Sequence, residues 1–172
     1  MKSLILIQGF VQRRLLLVSV ALLFVVSAAP AAEQPPHLDC TGTTGADAAT
    51  VVAAQRAWAK HLGETGHERV FALDPAGKVK VEMVLIPPGK YYRGEGKNAV
   101  LITLTQPLWV GKYEVTQQQY AAVMGTDPSH FKKEGAEASA FPVETVSHFS
   151  AVKFCEAASQ NTGDAFRLLR EG

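Results

Sequence analysis

Residues 111–131 read GKYEVTQQQYAAVMGTDPSHF, and this stretch says more about the fold than any other. Thr116 is suited to cap a helix, and Gln119 three residues later completes a capping box. Apolar side chains then recur at helical spacing and form an inner face: Tyr120, Val123 and Met124. Gly125 and the turn Asp127-Pro128-Ser129 follow. The stretch therefore predicts a short helix that starts after Thr116 and closes at Gly125.

Upstream of this helix, the sequence contains short segments of the kind that form strands. The turn Asp74-Pro75-Ala76-Gly77 has Pro and Gly in their expected places. The continuous apolar run from Met83 to Ile86 predicts burial on both faces, and Pro87-Pro88-Gly89 breaks it. The predicted strands or extended segments cover residues 69–73, 79–86, 100–105 and 108–113.

Two more helices are predicted on either side of these segments. The first covers residues 48–62, where Trp58 is expected to anchor the helix against a sheet. The second begins after the cap Ser147 and runs to about Ser159, and Gly163 ends the segment. Its inward-facing side chains are predicted to be Ala151, Phe154, Cys155 and Ala158. Strands and helices do not alternate as in a βαβ series, so we expect an α+β fold rather than a doubly wound sheet.

The N-terminus has the features of an export signal. Basic residues at Lys2, Arg13 and Arg14 precede an unbroken apolar run from Leu15 to Val26, and small residues follow, with the predicted cleavage after Ala31. An uncleaved membrane anchor is the alternative, but the apolar run is shorter than the roughly 20 residues that a spanning helix needs. We therefore expect an exported protein, periplasmic or extracellular after cleavage. Any contact with the membrane would be made through the signal segment, if that segment stays uncleaved.

Charge and cysteine content narrow the function classes. The chain has 17 Lys and Arg residues against 16 Asp and Glu, and three of the basic residues lie in the predicted leader, so the exported part is slightly acidic. No basic stripe remains, which argues against nucleic acid as a partner. Cys40 and Cys155 would meet an oxidising compartment. They could pair with each other, stay free or pair with another molecule.

The histidines and cysteines do not form a recognisable metal site. His37 and Cys40 have the spacing of half a site, but no second pair would complete four ligands. His61 and His67 flank a predicted loop and are expected to face solvent. No phosphate-binding loop, Gly-x-Ser-x-Gly elbow or His-Glu-x-x-His helix is present in the sequence.

Two glutamates each stand just ahead of a predicted helix cap. We expect Glu114 and Glu144 to be buried with partners rather than to act in catalysis. The residue patterns alone therefore identify no catalytic, cofactor-binding or metal-binding residue.

An ordered series of motifs resembles a known family. The series has five parts in chain order: residues 84–90 (VLIPPGK), 102–105 (ITLT), 111–131, 142–147 (PVETVS) and Phe154-Cys155. This series is similar to the opening of the formylglycine-generating enzyme, or sulfatase-modifying factor, domain. It covers roughly half of the chain, from about residue 81 to residue 168.

The resemblance implies an irregular α+β fold related to C-type lectins. The best-known members are copper-dependent oxidases that convert a sulfatase cysteine to formylglycine, and others are binding or structural modules. In the oxidases, a cysteine pair near the end of the domain holds copper, since soft thiolates suit Cu(I), and calcium sites also lie late in the domain. This chain has none of those positions, so we expect no cofactor in it. Exported sulfatases or another protein are the partners that the resemblance implies.

The sequence departs from the family pattern near its end. Relatives continue Arg-Leu-Pro-Thr-Glu-Ala-Glu-Trp, whereas this chain reads Arg-Leu-Leu-Arg-Glu-Gly at residues 167–172. A single-base deletion would explain this difference, and genomic sequence that failed to resume the family frame would refute the idea. The predicted organisation is a signal peptide at 1–31, a linker at 32–47, a lead-in helix and strand at 48–78, and the N-terminal part of the family domain at 79–172.

Two functions are consistent with these observations. The first is formylglycine generation by descent, and the second is a non-catalytic remnant or small binding module of the same fold. The second is favoured because Cys40 lies in a predicted linker and Cys155 on a predicted helix, so the two thiols do not form a copper-binding pair. We also expect exposed apolar surface where strands lack a covering partner.

Overall fold

The structure of the protein is a computed structural model that describes residues 7–10, 33–42, 45–132 and 140–169. It has an α+β fold of irregular shape, as the sequence predicts, with two sheets and three α-helices among the described residues. The strands are β1 (Ile7–Phe10), β2 (Leu38–Cys40), β3 (Glu68–Ala72), β4 (Lys80–Ile86), β5 (Gly89–Arg93), β6 (Val100–Leu104), β7 (Leu108–Gly111) and β8 (Ala165–Leu168). The helices are α1 (Ala48–His61), α2 (Gln117–Met124) and α3 (His148–Thr162).

The larger sheet is antiparallel throughout, with the strand order β3-β4-β7-β1-β8. Its two edge strands meet across the core, since the ring of Phe71 on β3 lies edge-on to that of Phe166 on β8 at 6.1 Å between centroids. The same ring lies 6.0 Å from that of Trp109 on β7. Contact between side chains from opposite edges requires the sheet to curl around these aromatic residues.

Strand β4 is buried on one face and only partly covered on the other, whereas the sequence predicts burial on both faces. Met83 and Leu85 are fully buried, whereas Val84 and Ile86 are half-buried, so one face of β4 lies in the core and the other is only partly covered. Burial on both faces was thus an overestimate. Each face of an antiparallel strand is covered separately, and a continuous apolar run does not by itself show that both are.

The smaller sheet has the order β2-β5-β6, and two of its strands were missed. Residues 38–40 form β2 inside the segment predicted to be a linker, and residues 89–93 form β5, for which no strand was predicted. Leu38 pairs in parallel with Gly89, whose absent side chain lets the two backbones approach closely: a Cβ there would lie 2.2 Å from the Leu38 carbonyl oxygen. Parallel pairing between distant segments leaves no local pattern in the sequence, so it was not foreseeable.

Helix α1 begins after Asp47, whose carboxylate accepts hydrogen bonds from the backbone and hydroxyl of Thr50. Trp58 is buried against the sheet, which confirms its predicted anchoring role, and its indole N–H donates to the Pro36 carbonyl at 3.2 Å. The buried amide of Gln55 donates to the Leu85 carbonyl at 3.0 Å and ties the helix to β4. No helix in the described part of the chain is long and apolar enough to span a membrane. The apolar run of the predicted leader, from Leu15 to Val26, and the predicted cleavage site lie outside the described residues.

Helices α2 and α3 follow the predicted caps. Thr116 and Gln119 form both hydrogen bonds of the capping box, and Ser147 caps α3. The ring of Tyr120 stacks on that of Phe154 at 5.4 Å with an interplanar angle of 6°, which joins the two helices. The predicted inner face of α3 is confirmed, because these four residues are buried: Ala151, Phe154, Cys155 and Ala158. The helix runs beyond the predicted end at Ser159 to Thr162.

Candidate functional site

The two thiols of the chain lie in different parts of the fold. Both are free; Cys40 is half-buried at the end of β2, where it pairs with Tyr91 of β5, whereas Cys155 is buried on α3 among core side chains. Burial, followed by the negative charge of Glu156, raises the pKa of the Cys155 thiol to about 11. A neutral thiol in an apolar core is a poor metal ligand, because the thiolate is the form that binds.

The residues present therefore do not fit the copper that the family resemblance implies. That metal needs two thiolates side by side, and the chain has two cysteines in all, one in a three-stranded sheet and one on a core helix. The described residues contain no group of three His, Cys, Asp or Glu side chains that could hold a metal ion. No oxidation step can be assigned to these two thiols.

The burial of Cys155 leads to a testable prediction. Raising the thiol pKa from 9.0 to about 11 leaves roughly 100-fold less thiolate at pH 8, so iodoacetamide should label Cys155 slowly in the folded chain. Labelling is measured by mass spectrometry of the peptide that contains Cys155, with and without urea. The half-buried Cys40 is the internal control and should react first. Equal labelling of Cys155 in folded and unfolded chain would contradict the buried position.

Two of the five histidines, His37 and His61, lie beside a tryptophan. The rings of His37 and His61 lie 6.0 Å and 5.4 Å from that of Trp58. The prediction that His61 and His67 face solvent is wrong, because both are half-buried. His61 was misjudged because its position at the end of α1 places it over the Trp58 ring, one helical turn away. The carbonyl of His67 accepts a hydrogen bond from Leu85.

Glu144 has the predicted partners, but it is half-buried rather than buried. Its carboxylate accepts the backbone N–H of Phe131 at 2.8 Å and the hydroxyl of Thr145, and its own N–H donates to the Ser129 hydroxyl at 3.3 Å. The Thr145 hydroxyl, then the Phe131 N–H, hold the pKa of this carboxyl below its ordinary value. Glu144 thus fixes the turn before Phe131, whose ring is left 73% exposed.

A groove of about 700 Å³ lies on the described surface. Strand β4, the residues after β7, the start of α2 and the segment 140–142 enclose it. The side chains that give it chemical character are Lys80, Glu82, Lys112, Tyr113, Glu114 and Gln119. Among the described residues Glu114 has no partner, contrary to the prediction, and its half-buried side chain lines the groove.

Backbone and side-chain hydrogen bonds hold the walls of the groove together. The N–H of Lys112 donates to the Glu82 carbonyl at 2.9 Å, and the amide of Gln119 donates to the Lys80 carbonyl at 2.7 Å. Pro142 forms a bridge with Thr116 on the opposite side. Because Thr116 and Gln119 also form the capping box, the start of α2 is fixed relative to β4 and the groove is preformed.

Opposite charges and one exposed aromatic ring define the chemistry of the groove. The Lys112 ammonium lies 3.0 Å and 3.1 Å from the two carboxylate oxygens of Glu68, a contact that raises the lysine pKa. The same ammonium lies 5.7 Å from the centre of the Tyr113 ring, which is 62% exposed. Mixed charges around an aromatic side chain suit a polypeptide segment better than a phosphate or a metal ion.

The groove was not foreseen from the sequence, because its walls come from three separate segments. Tyr113 and Glu114 belong to the motif GKYEVT, but the motif alone does not show that their side chains face a cleft.

Comparisons with known proteins place the chain in a family. The chain is 35% identical over 81 residues to chaperone protein LppX of Paenibacillus barcinonensis, an alignment that covers 47% of this chain and 27% of that relative. A solved structure, Treponema denticola variable protein 1, is 28% identical with a TM-score of 0.48 over 56% of this chain and 36% of that one. The chain therefore spans well under half the length of either protein. The family model of the sulfatase-modifying factor enzyme 1-like domain matches residues 69–172. The chain belongs to the sulfatase-modifying factor enzyme 1-like domain family.

Proposed function

We propose that this chain is an exported polypeptide-binding member of the family and that it does not oxidise cysteine. The observation that carries the proposal is the preformed groove, with Tyr113 exposed between the side chains of Lys112 and Glu114. Exposed aromatic rings are typical anchors of protein interfaces, because their few rotatable bonds are ordered at little cost in side-chain entropy.

Two further observations support this choice. Cys155 is buried with a raised pKa and Cys40 lies in the other sheet, so a thiolate pair for copper is not available. The relative from Paenibacillus barcinonensis is named a chaperone, a class of protein whose task is to hold other polypeptides. Export rests on the basic and apolar pattern of the first 31 residues.

The test uses the full chain and an unfolded client, fluorescent reduced and carboxymethylated α-lactalbumin. Tyr113→Ala should weaken binding roughly tenfold, since removal of an aromatic anchor costs more than 1 kcal/mol at most interfaces. Binding is measured by fluorescence anisotropy.

Tyr92→Ala is the matched control for this test, because Tyr92 is a similarly exposed tyrosine, 53% exposed, in the smaller sheet and outside the groove. If Tyr92→Ala weakened binding as much as Tyr113→Ala, or if neither variant changed it, the groove would not be the binding site.

A further inference from the structure

Strand β6 is an edge strand without a charged residue. Val100–Leu104 pairs with β5 on one side, and no other strand of the described residues pairs with its outer side. The other edge strands of the two described sheets each carry charged residues: Asp39 on β2, Glu68 and Arg69 on β3, and Arg167 on β8. Charged side chains on an edge discourage pairing with another chain. Among these edges, β6 is therefore the one that is open to pairing.

Exposed apolar side chains lie on both faces of the sheet at this edge. On one face Leu101 stands opposite Tyr92, and both side chains are exposed. The other face exposes Val100 and Tyr91, since successive residues of a strand point to opposite faces. Contiguous apolar surface of this kind marks an interaction site, whereas single exposed apolar residues are ordinary. The edge of β6 therefore carries a surface that a partner would cover.

The backbone groups that face outward from β6 follow from the pairing on its inner side. The N–H of Leu38 on β2 donates to the Pro88 carbonyl at 2.8 Å, so the next residue, Gly89, directs its own backbone groups toward β6. Alternate residues of a strand direct their N–H and C=O groups to opposite edges. Along the register of β5 with β6, Leu101 and Thr103 therefore direct these groups away from β5. Within the described part of the chain, these outward groups have no hydrogen-bonding partner.

The sequence of β6 is complementary to an antiparallel copy of itself. A two-fold axis through Ile102 places Leu101 of one copy opposite Thr103 of the other, and their outward backbone groups then meet as hydrogen-bonded pairs. In the same register Val100 stands opposite Leu104, and the two copies of Ile102 stand opposite each other. No charged residue enters any of these pairs.

The charges beside β6 are compatible with this register. Lys90 of β5 stands beside Thr103, and Arg93 stands beside Val100. Because the two copies run in opposite directions about Ile102, each of these cations lies in a different row from the same cation of the second copy. Like charges directly opposite each other would destabilise the pairing. Lys90 also pairs with Asp39 of its own copy at 3.0 Å.

We propose that the outer edge of β6 is a dimer interface, at which two copies of this chain pair antiparallel about Ile102. The smaller sheets of the two copies then form one continuous sheet in the order β2-β5-β6-β6-β5-β2. Two-fold contacts of this kind are the commonest form of self-association, and main-chain hydrogen bonds along the edge supply affinity. This inference is independent of the groove and of the function proposed for it. A strand from a different polypeptide is the competing occupant.

Cross-linking in the full chain tests the register. In a Cys40→Ser background, Ile102→Cys places two thiols directly opposite each other at a non-hydrogen-bonded pair, whose Cβ separation a disulfide can bridge. Val100→Cys is the matched control, because residue 100 is more exposed on the same face but its two copies would be offset by about 13 Å along the strands. On oxidation Ile102→Cys should give a covalent dimer on a non-reducing gel, and Val100→Cys should not. Equal cross-linking of the two variants, or of neither, would overturn the proposal.

Paired charge substitutions test the same register in the full chain without new thiols. Leu101 and Thr103 are both exposed and stand opposite each other across the proposed axis. Leu101→Glu with Thr103→Glu puts like charges opposite each other at two pairs, whereas Leu101→Lys with Thr103→Glu puts opposite charges there. In sedimentation equilibrium, the dimer of the first double variant should dissociate roughly tenfold more readily than that of the second. Circular dichroism spectra that match the unaltered chain show that both variants are folded.

Other modes of association give different results in the same experiment. A chain that stays monomeric at every concentration, or equal dissociation of the two charge variants, would overturn the proposal. Association through the apolar run from Leu15 to Val26 would give equal dissociation, because neither variant alters that run. A monomeric chain that binds carboxymethylated α-lactalbumin, and loses this binding with Leu101→Glu and Thr103→Glu, would show that a foreign strand takes the edge, which also overturns the proposal.

Discussion

Phe154→Ala is expected to remove a large part of the stability of the folded chain. Phe154 is fully buried, and its ring stacks on that of Tyr120, so it connects α3 with α2 and with the core. Truncation of a buried phenylalanine costs about 3–5 kcal/mol, and a small domain has a total stability of about 5–15 kcal/mol. Urea denaturation followed by circular dichroism measures the loss.

The control for this prediction lies on the same helix. Phe149 is 66% exposed, and the Lys153 ammonium lies 4.5 Å from the centre of its ring. Phe149→Ala should change the stability by less than about 0.5 kcal/mol, as is usual for exposed positions. A similar loss for the two phenylalanines would show that α3 does not present its predicted inner face to the core.

Gly89→Ala is expected to displace strand β2 from the smaller sheet. A Cβ at residue 89 would lie 2.2 Å from the Leu38 carbonyl oxygen, and a backbone atom cannot move aside without breaking the parallel pairing. Overpacking of this kind costs about 1–3 kcal/mol, which should raise the local opening of β2 roughly tenfold or more. Because Cys40 lies in β2, its labelling by iodoacetamide should accelerate by a similar factor.

Gly66→Ala is the control for Gly89→Ala. It adds the same methyl group at a glycine where no clash is expected, so it shows whether faster labelling of Cys40 comes from the clash with Leu38. A Cβ at Gly66 would lie 3.9 Å from its nearest neighbouring atom, the Glu68 carbonyl oxygen, and should be accommodated. Labelling of Cys40 in Gly66→Ala should match that of the unaltered chain. If Gly89→Ala left the Cys40 rate unchanged, β2 would not be paired with β5 in the way described.

The helices could be predicted because their capping residues and terminating glycines lie within one turn of the helix ends. The capping box of Thr116 and Gln119, the cap Ser147 and the left-handed glycines Gly125 and Gly163 all lie at the predicted places. The end of α3 was placed too early, because the hydroxyl of Thr162 back-bonds to the Ala158 carbonyl and extends the last turn. Such local bonds are common but have no strong sequence signature.

Pairing between distant segments could not be predicted in the same way. The partners of β2 and of β1 are separated from them by long stretches of chain, and neither strand was predicted from its own residues. The groove has the same origin: it exists because β4 pairs with β7 and because Gln119 reaches the Lys80 carbonyl. The charges and the aromatic ring could be identified from the sequence, but their meeting in one cleft depends on tertiary structure.

The central claim, that this family member binds polypeptides without oxidising them, is tested most directly with one peptide. The purified full chain is incubated with Cu(I), oxygen and a peptide that contains Cys-x-Pro-x-Arg, and the peptide is analysed by mass spectrometry for conversion of its cysteine to formylglycine. We predict an unchanged cysteine, because Cys155 is buried with a raised pKa and Cys40 lies in a different sheet. Copper-dependent formation of the aldehyde, abolished by Cys155→Ser or Cys40→Ser, would contradict the account.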